Sequence, residues 1–251
     1  DLATLPGDLA IGHCRYSTTG SSTWVNAQPT LRPTKYGTLA LAHNGNLTNT
    51  GELAELVQKL EPSTGRDRGA TTDTEIMTAL ISLQNEKNVE ASAISVLPQL
   101  EGAFSIVFMD EHTLYAARDR HGVRPLVLGK LETGWVVASE SAALDIVGAA
   151  FVREIEPGEF IAIDINGVRS QRWAIAEPKG CLFEYVYLAR PDTLIAGQGI
   201  QATRVAIGVR LAQEAPVEAD LVIPVPESGT PAAIGYAKGS GIPFGIGPFL
   251  L

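Results

Sequence analysis

Leu39-Ala40-Leu41-Ala42-His43-Asn44-Gly45-Asn46-Leu47 is a four-residue apolar run that ends in a cluster of hydrogen-bonding groups. Around it, from about Leu9 to about Val168, short alternating segments joined by tight turns recur. Ala103 to Met109 turns at Asp110-Glu111-His112 into Leu114 to Ala117, and Trp135 to Ala138 is another such segment. This pattern predicts stacked antiparallel sheets. Two helical stretches interrupt it, with Leu53, Leu56, Val57 and Leu60 on one face of the first and Ile76, Leu80 and Leu83 on one face of the second. The second opens with Thr72-Asp73-Thr74-Glu75, a capping box in which the threonine oxygen accepts a first-turn N–H and the glutamate reaches back. Asp73 therefore stands at the opening of a helix.

Each polar cluster has a plain explanation when taken alone. Asn-Gly is the strongest hairpin-turn signal, an acid in a first helical turn is favoured by the helix dipole, and an arginine at a strand end is more often a surface ion pair. In combination, Gly12-His13-Cys14-Arg15-Tyr16-Ser17-Thr18, His43-Asn44-Gly45-Asn46-Leu47 and Thr72-Asp73-Thr74-Glu75 describe a pocket for an amino acid whose side-chain amide is attacked. Arg15, after an approach strand from Leu9 to Gly12, can hold an α-carboxylate through a forked pair of hydrogen bonds, with a hydroxyl contact from Thr18. Asp73 can hold the α-ammonium. Asn44 can offer a side-chain N–H, and Gly45 a backbone N–H, to a developing oxyanion. The set has no obvious nucleophile: adjacent strand residues point to opposite faces, so His13 is poorly placed as a base for Cys14. Cys14 reads instead as a small, half-buried strand residue, and His112 and His121, in turns, read as solvated.

Composition narrows the partners. Of 251 residues, 45% are hydrophobic and 19% charged, enough to bury a sizeable core, and no apolar run approaches the ~20 residues that span a bilayer. With 19 basic and 28 acidic side chains the formal charge is −9, and no Lys/Arg cluster is present to grip a phosphate backbone, which argues against nucleic acid. Cys14 and Cys181 make no disulfide framework and no signal-peptide pattern opens the chain, so a reducing cytoplasm is expected. The chain starts at Asp1 and closes on Gly247-Pro248-Phe249-Leu250-Leu251 after an unfinished strand-turn-helix pattern, and reads as a fragment.

Past the loop around Glu177-Pro178-Lys179-Gly180 the grammar changes. Val205 to Leu211 reads as helix, Ala219 to Val225 as a buried strand, and Pro226-Glu227-Ser228-Gly229-Thr230 as a turn feeding a helix from Pro231 to Lys238. This is the start of a parallel α/β sheet, with Ser228 and Gly229 at a helix start where phosphate or hydrated Mg²⁺ could be received, or where Ser228 is simply the N-cap. The expected division is 1–178 and 179–251.

The residues resemble the glutamine phosphoribosylpyrophosphate amidotransferase family. The Gly-His-x-Arg-Tyr-x-Thr, His-Asn-Gly-Asn-Leu and Thr-Asp-Thr-Glu elements are shared with other amidotransferases of the N-terminal-nucleophile class. Narrower matches are Ala117-Arg118-Asp119-Arg120-His121-Gly122-Val123-Arg124-Pro125-Leu126, Ala138-Ser139-Glu140-Ser141, Cys181 to Asp192, and Val222-Ile223-Pro224-Val225-Pro226-Glu227-Ser228-Gly229. The resemblance implies an α+β fold, a four-layer α-β-β-α glutaminase followed by the start of an α/β phosphoribosyltransferase domain. It implies that Arg15 and Thr18 bind the glutamine carboxylate, Asp73 its amino group, and that Asn44 and Gly45 form the oxyanion hole. It further implies that Ser228 belongs to a Mg²⁺-phosphoribosylpyrophosphate site and that Cys181 is a ligand of a [4Fe–4S] cluster in members that carry one.

By the same resemblance the nucleophile is an N-terminal cysteine whose α-amino group is the general base. It forms a glutamyl thioester, and the released ammonia displaces pyrophosphate from phosphoribosylpyrophosphate, the first committed step of purine synthesis. A homotetramer under purine-nucleotide inhibition is implied as well. The N-terminal Cys-Gly segment and the acidic phosphoribosylpyrophosphate loop are missing from the printed sequence, so the chain as given is expected to be catalytically incomplete. Two other readings compete: an amidotransferase of the same class with a sugar-phosphate acceptor, and a non-catalytic glutamine-binding module.

Overall fold

The computed structural model describes residues 7–15, 24–62 and 72–246. They fall into two compact units, Asp1–Ser139 with Val152–Gly180, and Glu140–Phe151 with Cys181–Leu251. The expected partition at 178/179 made no allowance for Glu140–Phe151, which belongs with the second unit although it interrupts the first. Thr18 lies outside the described residues.

In chain order the first unit runs β1 (Thr30–Thr34), β2 (Gly37–Leu47), α1 (Thr50–Leu60), α2 (Asp73–Leu83), α3 (Val89–Val96), β3 (Gly102–Met109), β4 (Leu114–Arg118), β5 (Val127–Lys130) and β6 (Trp135–Ala138). After α4 (Ser141–Ile146) come β7 (Ala150–Glu154), β8 (Glu159–Asp164) and β9 (Gly167–Arg172). Six strands make an antiparallel sheet in the order β1-β2-β3-β4-β8-β9, and a second sheet has the order β6-β5-β7. The fold is α+β.

Period-two alternation sorts the side chains of the large sheet onto two cores. Phe104, Ile106, Phe108, Tyr115 and Phe160 pack with Met77, Leu80 and Val96 of the helices. Ala116 and Ile161 pack from the other face, with Leu126 and Leu128 and with the partly buried Val107. Each large side chain fully buried in this way contributes about 1.5–3 kcal/mol.

Several expectations are corrected in the first unit. The four-residue strand is longer than expected and the alternative Asn-Gly turn is not formed: β2 continues to Leu47, with Asn44 opposite Ser105 and Gly45 opposite Phe104. The Asn-Gly signal is overridden because the tertiary partner, β3, is long enough to pair the whole segment. Residues 9–15 join no ladder among the described residues, and Cys14 is exposed instead of half-buried, although exposure alternates along them as it would in a strand. The capping box is half formed: Thr72 accepts from the Glu75 N–H at 3.4 Å, but Glu75 turns to Arg32 at 3.3 Å instead of reaching back. Leu60, at the last position of α1, is exposed.

The second unit contains α4, a π-helical turn at Glu184–Leu188, the hairpin β10 (Leu194–Ile195) and β11 (Gln198–Gly199), and two long helices, α5 (Ile200–Glu214) and α6 (Thr230–Ser240). The helices meet backbone to backbone through glycines. A Cβ on Gly208 would lie 2.0 Å from the Ala232 carbonyl oxygen, and one on Gly235 2.0 Å from that of Val205. Ala219 to Val225 is not a buried strand. It makes a single parallel bridge, Val222 with Phe244, and Leu221, Ile223 and Val225 are exposed. A parallel strand is buried only when flanked and covered, and among the described residues only 243–245 run beside it. Gly229, not Ser228, occupies the N-cap of α6.

Candidate active site

The site grows from the point where β1 stops. The β1–β2 ladder ends at the pair Thr30 and Leu41, and the residue before Thr30 is Pro29, which has no N–H to continue it. Among the described residues no strand pairs with the outer edge of β2 past Leu41. In a strand, successive backbone N–H groups point to opposite sides, so those of His43, Gly45 and Leu47 face this edge while Asn44 and Asn46 face β3.

Two of the three edge donors are occupied by side chains. The His43 N–H donates to Gln28 Oε1 at 2.7 Å and the Leu47 N–H to Asp73 Oδ2 at 3.1 Å. The Gly45 N–H between them meets no acceptor among the described residues, and Gly45 is exposed. Its φ of +149° is a conformation that L side chains rarely adopt, and a Cβ there would lie 2.0 Å from the Ala103 carbonyl oxygen. The sequence needs glycine here for the strand to pass β3 while presenting this N–H.

Asp73 holds the base of the site. Its Oδ1 accepts from the Thr74 N–H at 2.9 Å, and its Oδ2 lies 3.5 Å from His43 Nδ1. Burial alone would raise its pKa, but the hydrogen bond and charge of His43, with the N–H groups of Leu47 and Thr74, hold the carboxyl below its ordinary value. An ionised carboxylate has about four lone-pair sites, so these three donors leave room for one more, and the side chain is 17% exposed. His43 is buried, and its Nε2 has no hydrogen-bond partner among the described residues. His13 has its pKa lowered first by burial, then by the charges of His43 and Arg15.

Asn44 is on the opposite face of β2 from His43, half-buried, with its Oδ1 accepting from Arg124 Nε at 3.2 Å. The arrangement thus offers an amide N–H from Asn44 and a backbone N–H from Gly45 at adjacent positions of one strand end. Neither Gln28 nor Arg124 was found by reading the sequence. A separate cavity of about 520 Å³, lined by Thr48, Gly102, Asp119, His121 and Trp173 among others, contains none of the predicted site residues. His121 is not simply solvated: its Nδ1 is 2.9 Å from the Glu177 carbonyl oxygen.

The metal expectations find little support. A [4Fe–4S] cluster takes four thiolates, and the sequence holds two cysteines, so Cys181 does not make such a site with the residues present. Among the described residues no group of three or more His, Cys, Asp or Glu side chains gathers to hold a metal. The Ser228 hydroxyl alone does not constitute a Mg²⁺ site. No helix among the described residues is long and apolar enough to cross a membrane.

Residues 13–146 match the family model described as glutamine amidotransferase domain. The chain is similar to the amidophosphoribosyltransferase of Mycobacterium tuberculosis (strain ATCC 25618 / H37Rv), 59% identical with 98% of this chain and 47% of the relative covered. It is also similar to that of Synechococcus elongatus, 47% identical with 98% and 50% covered. Among solved structures it resembles glutamine phosphoribosylpyrophosphate amidotransferase from B. subtilis complexed with ADP and GMP, with a TM-score of 0.87, 39% identity, and 94% of this chain and 50% of that one covered. The chain spans about half the length of these relatives. The family model takes in Arg15, the whole of β2 and Asp73 together, and on that ground the chain belongs to the glutamine amidotransferase domain family.

Proposed function

We propose that the protein is an amidophosphoribosyltransferase: glutamine and phosphoribosylpyrophosphate give 5-phosphoribosylamine, glutamate and pyrophosphate, the first committed step of purine synthesis. The observation that carries the glutaminase half is the pair of donors at the end of β2, the Gly45 N–H on an edge that no described strand pairs and the Asn44 carboxamide beside it. In this reading Arg15 and Thr18 hold the glutamine α-carboxylate and Asp73 supplies its remaining acceptor position to the α-ammonium. Asn44 and Gly45 donate to the oxyanion formed when a cysteine thiolate attacks the amide carbon. Collapse of that intermediate breaks the C–N bond, releases ammonia and leaves a thioester for water to hydrolyse. The attacking cysteine, by family resemblance N-terminal, is not assigned to Cys14.

Residues 1–178 form the glutaminase domain in this proposal and 179–251 the start of the phosphoribosyltransferase domain, with Ser228 near the phosphoribosylpyrophosphate. A homotetramer in the cytoplasm is the expected form. The proposal follows the relatives' names and their 59% and 47% identities.

The test is Asn44→Ala in the full-length protein, assayed for phosphoribosylamine formation with glutamine and separately with ammonia. Removing one oxyanion donor costs ~10²–10³ in rate. Glutamine-dependent turnover should fall by about that factor while ammonia-dependent turnover persists. Equal loss of both, or of neither, refutes the assignment.

A further inference from the structure

The segment Arg118-Asp119-Arg120-His121-Gly122-Val123-Arg124 takes no part in holding glutamine, yet its hydrogen bonds converge on the site. Asp119 is buried. Its Oδ2 accepts from the N–H groups of Phe104 at 3.1 Å and Val123 at 3.2 Å, and its Oδ1 from that of His121 at 2.8 Å. Arg118, also buried, donates to the carbonyl oxygens of Ile155 at 2.8 Å and Gly122 at 2.9 Å. Its Nε donates to the Arg124 carbonyl oxygen at 2.8 Å, and the Ser105 hydroxyl donates to the same oxygen at 3.0 Å.

Strand register explains why these groups meet. Asn44 on β2 is opposite Ser105 on β3, and Ser105 is opposite Arg118 on β4, so the three side chains stand in one row on one face of the sheet. Two members of the row hold the backbone of Arg124, and the third, Asn44, receives its side chain. A guanidinium N–H donates and cannot accept. The Asn44 atom that faces Arg124 Nε must therefore be the carboxamide oxygen, which turns Nδ2 the other way. The flipped amide would set donor against donor.

We propose that Arg124 is a positioning residue that fixes the orientation of the Asn44 carboxamide, so that Nδ2 is always presented as an oxyanion donor. This rests on the reading of Asn44 and Gly45 as the oxyanion hole. Without Arg124 the amide samples both orientations, and in one of them an oxygen faces the developing negative charge.

The experiment is a double-mutant cycle on glutamine hydrolysis by the full-length protein, using Arg124→Met, Asn44→Ala and the double variant. Methionine keeps an apolar stem and removes the donor. Arg124→Met should lower kcat by about tenfold or more, but by less than the ~10²–10³ of losing the Asn44 donor, with KM for glutamine little changed. In the Asn44→Ala background it should change kcat by less than about twofold, since there is no amide left to orient. Multiplicative effects, or a rise in KM with kcat intact, overturn the proposal. A second readout is independent of turnover: the side-chain ¹⁵N–¹H₂ signals of Asn44 should be a single sharp pair in the wild type and broadened or doubled in Arg124→Met. An unchanged pair overturns the proposal, whereas a wild-type protein that shows the single pair but does not hydrolyse glutamine refutes the oxyanion-hole reading on which it stands.

Discussion

In the proposed site, Asp73 is the residue where fold and chemistry would share one carboxylate. It caps the approach of β2 to α2 through the Leu47 and Thr74 N–H groups and leaves one acceptor position open. Because its folded pKa lies below the ordinary 3.8, its stabilisation is present above that value and is lost as the pH falls through the folded one. Asp73→Asn should therefore cost about 2 kcal/mol at neutral pH, as expected for hydrogen bonds to a charged acceptor. In urea titrations the gap from wild type should close below about pH 3.8. The places of Asp73 and Asn44 were legible in the sequence because each sits inside a local pattern, a helix start and a strand end. Arg124 was not, since the atom it orients is 80 residues away and only the register of three strands brings the two together. Gln28 was hidden for the same reason: a side chain standing in for a missing ladder bond leaves no local trace.

At the scale of elements, the extent of β2 and the contact of α5 with α6 were the features that local reading misjudged or could not reach. The alternation of Leu39 to Ala42 showed the strand, but whether it turned at Asn44-Gly45 depended on β3 being there to pair it. For α5 and α6, hydropathy marked the helices and said nothing of how near they come. The structure makes that contact testable. Alanine is favoured over glycine in a helix interior by about 1 kcal/mol, yet Gly208→Ala should destabilise the second unit because its methyl carbon would have to displace the Ala232 carbonyl oxygen. Gly51→Ala, in α1 with nothing within 4 Å of the added carbon, should instead be neutral or stabilise by up to that amount. Thermal denaturation of both variants checks the contrast, and equal shifts would mean that the helices are not in backbone contact.

For the molecule as a whole, the α+β class was what the family resemblance implied, and the sheet-rich character of the first part was evident from periodicity and turn spacing. The return of Glu140–Phe151 to the second unit was not, because composition does not change there. The acid limit of the first unit is set in part by Glu159. Burial would raise its pKa, but a forked pair with Arg153 at 2.7 and 2.8 Å, the Ser170 hydroxyl and the Glu156 N–H lower it on balance. Its contribution is present above the ordinary 4.5 and disappears as the pH drops through the folded value. Glu159→Gln should lower stability at pH 7 and flatten the decline below about pH 4.5, followed by circular dichroism. A last consequence follows from the edge of β2 that no described strand pairs. The Gly45 N–H there belongs to the main chain, so no side-chain loss elsewhere deletes it, but at position 45 itself proline would remove it and any other residue would drive a Cβ against the Ala103 carbonyl oxygen and shift the strand that presents it. Mutational decay of such a strand end would therefore run by two routes, loss of a side-chain donor at position 44 and displacement of the backbone at position 45.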